Sequence, residues 1–347
     1  MKNARAPGRR RLARLLPVLF SLVLLAAVYA ALDIEALRAA FAAPSPLWLA
    51  LALSLSVPQM ALSAWRWQLT AASLDAPLPF RHAFAEYYLG SFLNQVLPGG
   101  VLGDANRAWR HARRPIAANL AHDAKLKTST RSNSDLDLGS ESRADSAAGS
   151  GPRSSAWLAV LLERSSGQVA MLLCALATLL FSPTIAHVLG ALSGRLRELG
   201  TGPAPVALGL GALVVLVMAL ILRRSTLLHT FTHAVQRALL APALLWRQLL
   251  SSLALATSYI AVYFCCTRML GIDTPASTLL ALIPWVLLAM AIPLSMAGWG
   301  LREGAAALLW AAAGLEVSQG VAISIAYGTV VLTSTLPGAW VLLRRGT

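Results

Sequence analysis

The 347-residue chain is 57% hydrophobic and 13% charged, with a mean hydropathy of +0.63. Soluble domains are about 45–50% apolar and about 25% charged, so this composition excludes an ordinary soluble domain. The 29 Lys and Arg residues against 15 Asp and Glu residues give a formal net charge of +14. Because the basic residues flank apolar segments, they indicate membrane topology rather than nucleic-acid binding.

The N-terminal segment predicts a first transmembrane helix that starts on the cytoplasmic side. Six basic residues precede an apolar run over 15–32, which ends before Asp33 and Glu35. A cleaved signal peptide is the alternative, because Val28-Tyr29-Ala30 resembles a small-residue cleavage site. The apolar run is long for the hydrophobic region of a signal peptide, which favours the helix.

A second helix is predicted over 47–69. Pro58 predicts a kink in it, and Trp65, Arg66 and Trp67 near its end are typical of an anchor at the membrane interface. Arg66 also predicts that the loop after this helix lies in the cytoplasm.

The next apolar segment, 83–102, is poorly suited to a plain crossing. It contains Glu86 and Asn94, and Pro98-Gly99-Gly100 would break a helix. Four arginines follow within 107–114, and the positive-inside rule places them on the side where the segment began. We therefore predict a broken or re-entrant segment near 90–103.

Residues 119–155 are rich in Ser, Asp, Arg, Gly and Lys and contain almost no aromatic residues. Such a composition does not bury enough apolar surface to order itself. We interpret this segment as a disordered cytoplasmic linker within a single membrane domain, 1–347.

The C-terminal part of the chain predicts further helices, at 156–181, 203–222, 249–270, 277–296 and 318–343. A short apolar piece at 298–314 has no clear path, so we predict a second broken or re-entrant segment near 292–314. The predicted fold class is an all-α, polytopic membrane helix bundle of about eight helices. The distribution of basic residues places both termini in the cytoplasm.

The first candidate site lies at the break after the segment 83–97. Backbone that leaves helical geometry at membrane depth must be buried in protein or line a wet cavity. The glycines allow a tight bend, and Asp104 and Arg107, three residues apart, would share a helix face. The candidate residues are Pro98, Gly99, Gly100, Asp104 and Arg107. A cytoplasmic turn with a helix cap is the alternative.

The second candidate site is the segment 292–304, which places a neighbouring cation and anion between two apolar stretches. Paired broken segments in the two halves of a membrane protein indicate a transport site. A lipid phosphate is a suitable ligand, because helix N-termini and arginine both favour anions. The candidate residues are Ser295, Gly298, Trp299, Gly300, Arg302 and Glu303. The alternative places Arg302 and Glu303 at the membrane interface.

A third charged pair, Glu163 and Arg164, is embedded in an apolar helix and flanked by small residues. Pairing between these charges is the simpler interpretation. The sequence contains no convincing Ser/His/Asp set, HExxH motif or nucleotide-binding loop. We therefore expect no enzyme, no cofactor and no metal site.

Three segments, 97–107, 163–167 and 292–304, together resemble the signatures of the lysylphosphatidylglycerol synthase transmembrane-region family. Members of this family are also described as flippase-like membrane proteins. The resemblance extends over about residues 10–345, nearly the whole chain. The chain departs from the family pattern at 119–155, where the connection is longer and more polar than expected.

The resemblance implies a bacterial or archaeal inner-membrane protein that moves, or helps to move, a lipid between leaflets. A soluble aminoacyl-transferase domain follows this region in full-length synthases and not here, so translocation without synthesis is expected. The expected partners are membrane lipids, anionic or isoprenoid-type, and no nucleic acid. The alternative function is a non-transporting accessory subunit, whose partner would be a lipid- or envelope-modifying enzyme.

Overall fold

The computed structural model describes residues 34–97, 100–113, 152–198, 242–290 and 298–344, with isolated positions before residue 34. All regular structure in these ranges is helical. The helices are α1 Ile34–Ala40, α2 Pro46–Ser73, α3 Phe80–Val96, α4 102–113, α5 Pro152–Phe181, α6 Pro183–Glu198, α7 Pro242–Met269, α8 Ala276–Ala289, α9 Leu301–Ala312, α10 Val317–Thr335 and α11 Pro337–Arg344.

Four stretches within the described residues are long and apolar enough to cross a membrane. They are Pro46–Ser73, Ser154–Phe181, Leu244–Met269 and Val317–Arg344, of 26 to 28 residues each. At about 1.5 Å per residue each exceeds the roughly 30 Å of a bilayer's hydrocarbon core. The prediction of a polytopic membrane helix bundle is confirmed.

Helix α2 lies at the centre and packs against α3, α5, α7 and α10. Two interhelical hydrogen bonds tie it to α7, from Gln59 Nε2 to Ser258 Oγ (3.0 Å) and from Gln248 Nε2 to Thr70 Oγ1 (2.8 Å). Such bonds hold helices together in a bilayer, where the hydrophobic effect does not drive helices to associate. The helix runs through Pro58 without ending.

The interpretation of Arg66 and Trp67 as an interfacial anchor is wrong. Both side chains are completely buried, with 0% of their surface exposed. The prediction ended this helix at Leu69, whereas it continues to Ser73, so Arg66 lies about two turns inside it. The helices packed around α2 cover Arg66.

The predicted break near 90–103 is confirmed. Helix α3 ends at Val96, Gly100 adopts a φ of 59°, and α4 starts two residues later. The two helices approach very closely, because a Cβ on Gly103 would overlap the carbonyl oxygen of Gly90. Pro98 and Gly99 lie outside the described residues.

The second predicted break lies between α8 and α9. Residues 291–297, including Ser295, are outside the described residues. Helix α9 has 12 residues, about 18 Å of helix, which is too short to cross a bilayer alone. It packs against α8 and α10 and so remains inside the bundle.

Several predicted boundaries differ from the structure: α7 begins at Pro242 rather than 249, α8 ends at Ala289 rather than 296, and α6, Pro183–Glu198, was not predicted. The single helix predicted over 318–343 is two helices that separate at Leu336, because Pro337 has no N–H to continue the hydrogen-bond ladder. Helix α5 begins at Pro152, inside the predicted linker 119–155, and proline suits a first helical position. The rest of that linker, the helix predicted at 203–222 and nearly all of 15–32 lie outside the described residues.

Candidate functional site

Arg107 of α4 is buried and holds two carboxylates. Its Nε donates to Asp104 Oδ1 at 3.0 Å and its Nη2 donates to Glu163 Oε2 at 2.7 Å. The rings of Trp67 and Tyr87 lie 4.9 and 4.4 Å from the guanidinium carbon and add cation–π attraction. The predicted shared face of Asp104 and Arg107 is confirmed.

Glu163 joins α5 to α2, α3 and α4. Besides the bond from Arg107, its Oε1 accepts a hydrogen bond from Tyr87 Oη at 3.3 Å and lies 3.8 Å from Arg66 Nη1. Arg66 Nη2 also donates to the backbone oxygen of Glu163 (3.2 Å) and to Ser166 Oγ (2.6 Å). The buried arginine on α2 therefore anchors one turn of α5.

Asp104 completes this cluster. Its Oδ2 accepts a hydrogen bond from Asn94 Nδ2 at 2.9 Å and forms an ion pair with Arg164 Nη2. Asn94 Oδ1 in turn accepts from the backbone N–H of Gly103 at 2.8 Å. Burial raises the pKa of the Asp104 carboxyl, but Arg164 and Arg107 outweigh it and hold that pKa below its ordinary value.

The five charged side chains of this first cluster are Arg66, Asp104, Arg107, Glu163 and Arg164. Three guanidinium groups face two carboxylates, so the cluster carries a net charge of +1. Several buried guanidinium nitrogens have no hydrogen-bond partner among the described residues, namely Arg66 Nε and Nη1, Arg107 Nη1 and Arg164 Nε. These nitrogens are enclosed within the cluster, and Arg164, whose side chain is 42% exposed, is the arginine that reaches the surface of the cluster.

A cavity of about 820 Å³ lies beside the first cluster. One part of its wall is polar and includes Arg66, Asn94, Asp104, Glu163 and Arg164. The remaining wall is largely apolar and includes Met60, Leu255, Leu287, Met290 and Val331. A mostly apolar cleft with a few converging polar groups suits an amphipathic ligand.

The cavity borders the outer surface of the bundle along α5. Leu161 and Val169 line the cavity and are 52% and 54% exposed, respectively. Helix α5 is also the least buried of the four candidate spans. The cavity therefore reaches the exposed face of a helix that is long and apolar enough to cross a membrane.

A second cluster is formed by Arg302 and Glu303 at the start of α9. Arg302 Nη2 donates to Glu303 Oε1 at 2.5 Å, and Arg302 Nε lies 3.0 Å from Ser324 Oγ of α10. Both charged side chains are buried in the bundle, so Arg302 does not extend to lipid headgroups and Glu303 does not lie in water. This cluster is neutral.

Glycine geometry sets the start of α9. Gly298 and Gly300 have φ values of 82° and 87°, a region that side-chain-bearing residues rarely adopt. The N–H of Gly300 then donates to Glu303 Oε2 at 2.6 Å and caps the helix. A Cβ on Gly328 of α10 would overlap Arg302, so that glycine makes room for the guanidinium.

The structure separates the candidate residues into two groups. Asp104, Arg107, Glu163 and Arg164 come together, whereas Arg302 and Glu303 form their own cluster, and no hydrogen bond among the described residues joins the two. The predicted pairing of Glu163 with Arg164 is wrong, because each pairs with α4 instead.

Gly100 and Gly298 line the cavity, whereas Trp299 stacks on Arg302 at 5.0 Å. Tyr327 lines the cavity and its ring also lies 5.4 Å from the Arg302 guanidinium carbon. The sequence interpretation missed Arg66 and Tyr87 as site residues. An arginine inside an apolar helix is a signal for a functional residue. Extending the predicted helix 47–69 to Ser73 would have placed Arg66 inside it and identified this residue.

The fold and this charged lateral cavity define a polytopic helical membrane protein with a polar site inside the bundle. A family model described as lysylphosphatidylglycerol synthase TM region matches residues 14–121 and 146–338. This covers nearly the whole chain, so the chain belongs to that family, which is related to lipid handling. The unmatched residues 122–145 lie within the polar segment 119–155. No curated protein and no solved structure matches the chain.

Proposed function

We propose that this membrane protein translocates a lipid between leaflets, with the headgroup at the first cluster and the acyl chains along the outer face of α5. The cavity is the observation that carries the proposal, because it joins a charged wall to an apolar wall beside the exposed face of α5. Its volume of about 820 Å³ lies within the range of ligand sites, about 300–1,000 Å³.

Arg164 is the residue best placed to meet a headgroup. Its side chain is 42% exposed and lines the cavity, whereas Arg107 is buried and is absent from the lining. The ion pair with Asp104 orients the guanidinium, and a preoriented donor loses less entropy on binding. Arg164 therefore serves as the contact group and Arg107 as the support that holds Glu163 and Asp104.

The test is leaflet-resolved movement of fluorescent phospholipids in proteoliposomes, comparing wild type with Arg164→Gln. We expect the variant to lose about tenfold or more in rate, the size of one charge-assisted hydrogen bond. The matched control is Arg197→Gln, which removes an exposed arginine from the last turn of α6. Equal rates in all three proteins would contradict the assignment of the site.

The proposal includes a location in the bacterial inner membrane with both termini in the cytoplasm. It is supported by the basic N-terminal segment and by Arg344 and Arg345 at the other end. Reporter fusions at each terminus test it, and opposite orientations would contradict it. If folded protein moved no lipid but copurified with a lipid-modifying enzyme, the accessory-subunit alternative would replace translocation.

A further inference from the structure

We propose that Tyr259 and Tyr327 form a second, inner contact for the lipid headgroup, which receives the headgroup after it leaves Arg164. This inference rests on the proposed function and adds two residues to the path of the lipid. Neither tyrosine belongs to a charged cluster, and both line the cavity.

The first argument is the length of the cavity. Its lining residues on α5 run from Trp157 to Met171, which is roughly 21 Å of helix at about 1.5 Å per residue. That length is about two thirds of the hydrocarbon core of a bilayer, roughly 30 Å. Arg164 lies at the middle of this stretch, so the cavity continues about 10 Å beyond it toward Met171.

The second argument is the depth of Tyr259. It follows the serine that Gln59 of α2 hydrogen-bonds at 3.0 Å. Gln59 lines the cavity and precedes Arg66 by seven residues, which is about 10 Å of helix. Met171 shares a hydrophobic core with Ala52, so the early part of α2 lies at the far end of the cavity. Tyr259 therefore lies beyond the first cluster, at the level where the cavity continues.

Tyr327 lies beside Tyr259 at this end of the cavity. The Tyr259 side chain is within electrostatic range of both Arg164 and Tyr327, so it stands between the outer contact and Tyr327. The Tyr327 ring lies 5.4 Å from the Arg302 guanidinium carbon and 5.2 Å from the Tyr263 ring. The second cluster thus holds the Tyr327 ring in place, although its own charges do not line the cavity.

The third argument is the chemistry of the two hydroxyl groups. Within the described residues neither hydroxyl donates a hydrogen bond, so each can donate to a headgroup oxygen. A polar headgroup that crosses an apolar section without a partner is strongly destabilised. An uncharged hydroxyl binds an oxygen less tightly than a guanidinium does, so this contact supports the headgroup and still releases it.

The experiment compares Tyr259→Phe and Tyr327→Phe with wild type in the proteoliposome assay, using fluorescent phosphatidylglycerol and phosphatidylcholine. Each change removes one hydroxyl and keeps the ring. We expect the rate of lipid movement to fall about two- to tenfold in each variant, as the loss of one hydrogen bond would give. The matched control is Tyr263→Phe, because the Tyr263 hydroxyl is buried and does not line the cavity. Its rate should equal that of wild type.

A second measurement separates binding of the lipid from its passage. The thermal unfolding midpoint of the full chain in detergent micelles should rise with added phosphatidylglycerol, because a ligand stabilises the state that binds it. Tyr259→Phe and Tyr327→Phe should retain this rise, since Arg164 makes the first contact, whereas Arg164→Gln should reduce it. Loss of the rise in the tyrosine variants would overturn a separate inner contact in favour of a single site.

The outcomes also separate this inference from translocation itself. Wild-type rates in both tyrosine variants would overturn the inner contact and leave translocation standing. An equal fall in Tyr263→Phe would overturn it too, because packing rather than the cavity hydroxyls would then explain the effect. No movement of either lipid by folded wild-type protein would overturn translocation and the inner contact together.

Discussion

The two ionic clusters use the same residue types but differ in charge and in access to the cavity. Arg302 and Glu303 satisfy each other and Ser324, are neutral and fully buried, and do not line the cavity. The first cluster has one guanidinium more than its carboxylates, and four of its five charged side chains line the cavity, with Arg164 42% exposed there. A fully buried pair fixes structure, whereas a cluster with an exposed arginine at a cavity can bind a ligand.

The sequence drew attention to the 292–304 segment, whereas the structure makes the first cluster the better candidate for ligand binding. The 292–304 segment stands out because it carries adjacent charges among glycines, yet its charges hold α9 against α10. Arg66 stands alone in an apolar helix and belongs to the first cluster. The 292–304 motif, which is the easiest to recognise in the sequence, therefore has a structural role.

The largest expected effect is on stability after loss of Arg302. Arg302→Gln leaves Glu303 buried and without its counter-ion, and removing one partner of a buried pair costs about 3–5 kcal/mol. Arg164→Gln should cost less than about 1 kcal/mol, because its side chain is partly exposed. Unfolding of each purified variant in detergent measures the difference. Equal losses of unfolding free energy in the two variants would contradict the conclusion that the two clusters differ in role.

A smaller effect is expected at the glycine that faces each cluster. Gly328→Ala would place a methyl group into Arg302 and within 3.0 Å of the Trp299 ring, and such overpacking costs about 1–3 kcal/mol. Gly167→Ala meets Arg66 at an ordinary 3.7 Å and gains up to about 1 kcal/mol of helix propensity. The unfolding midpoint should fall in the first variant and hold or rise in the second.

The same pair also separates stability from transport. Gly167→Ala keeps every charge of the first cluster, but its methyl group would take up space in the cavity, which Gly167 lines. We expect lower lipid movement from this stable variant in the proteoliposome assay. Wild-type movement with Gly167→Ala would show that the lipid does not pass α5 at Gly167.

The smallest effect concerns one carboxylate of the first cluster. Arg164 and Arg107 hold the pKa of Asp104 below its ordinary value of 3.8 in the folded protein. A lowered folded-state pKa contributes stability that is present above the unfolded value, about 3.9, and is lost as pH falls through the folded value. Asp104→Asn should therefore show a weaker acid dependence of the unfolding midpoint below about pH 4. An unchanged acid dependence would contradict ionic pairing at Asp104.

The break at 97–101 was predictable because helix-breaking residues and polar groups interrupt an apolar segment. The shared face of Asp104 and Arg107 was predictable from helical spacing. The partners of Glu163 and Arg164 were not, since both lie on α5 and their partners come from helices distant in sequence. The separation of α10 from α11 was visible in Pro337, but hydropathy continues across it.

The sequence by itself determined that this protein spans a membrane as a helical bundle and which family it belongs to. Those properties depend on composition, apolar run length and local motifs, all of which are read along the chain. The tertiary structure alone decided which arginines meet which carboxylates and which cluster faces the cavity. Pairing across helices depends on packing at Gly90, Gly103 and Gly328, and that packing joins residues that no local pattern connects.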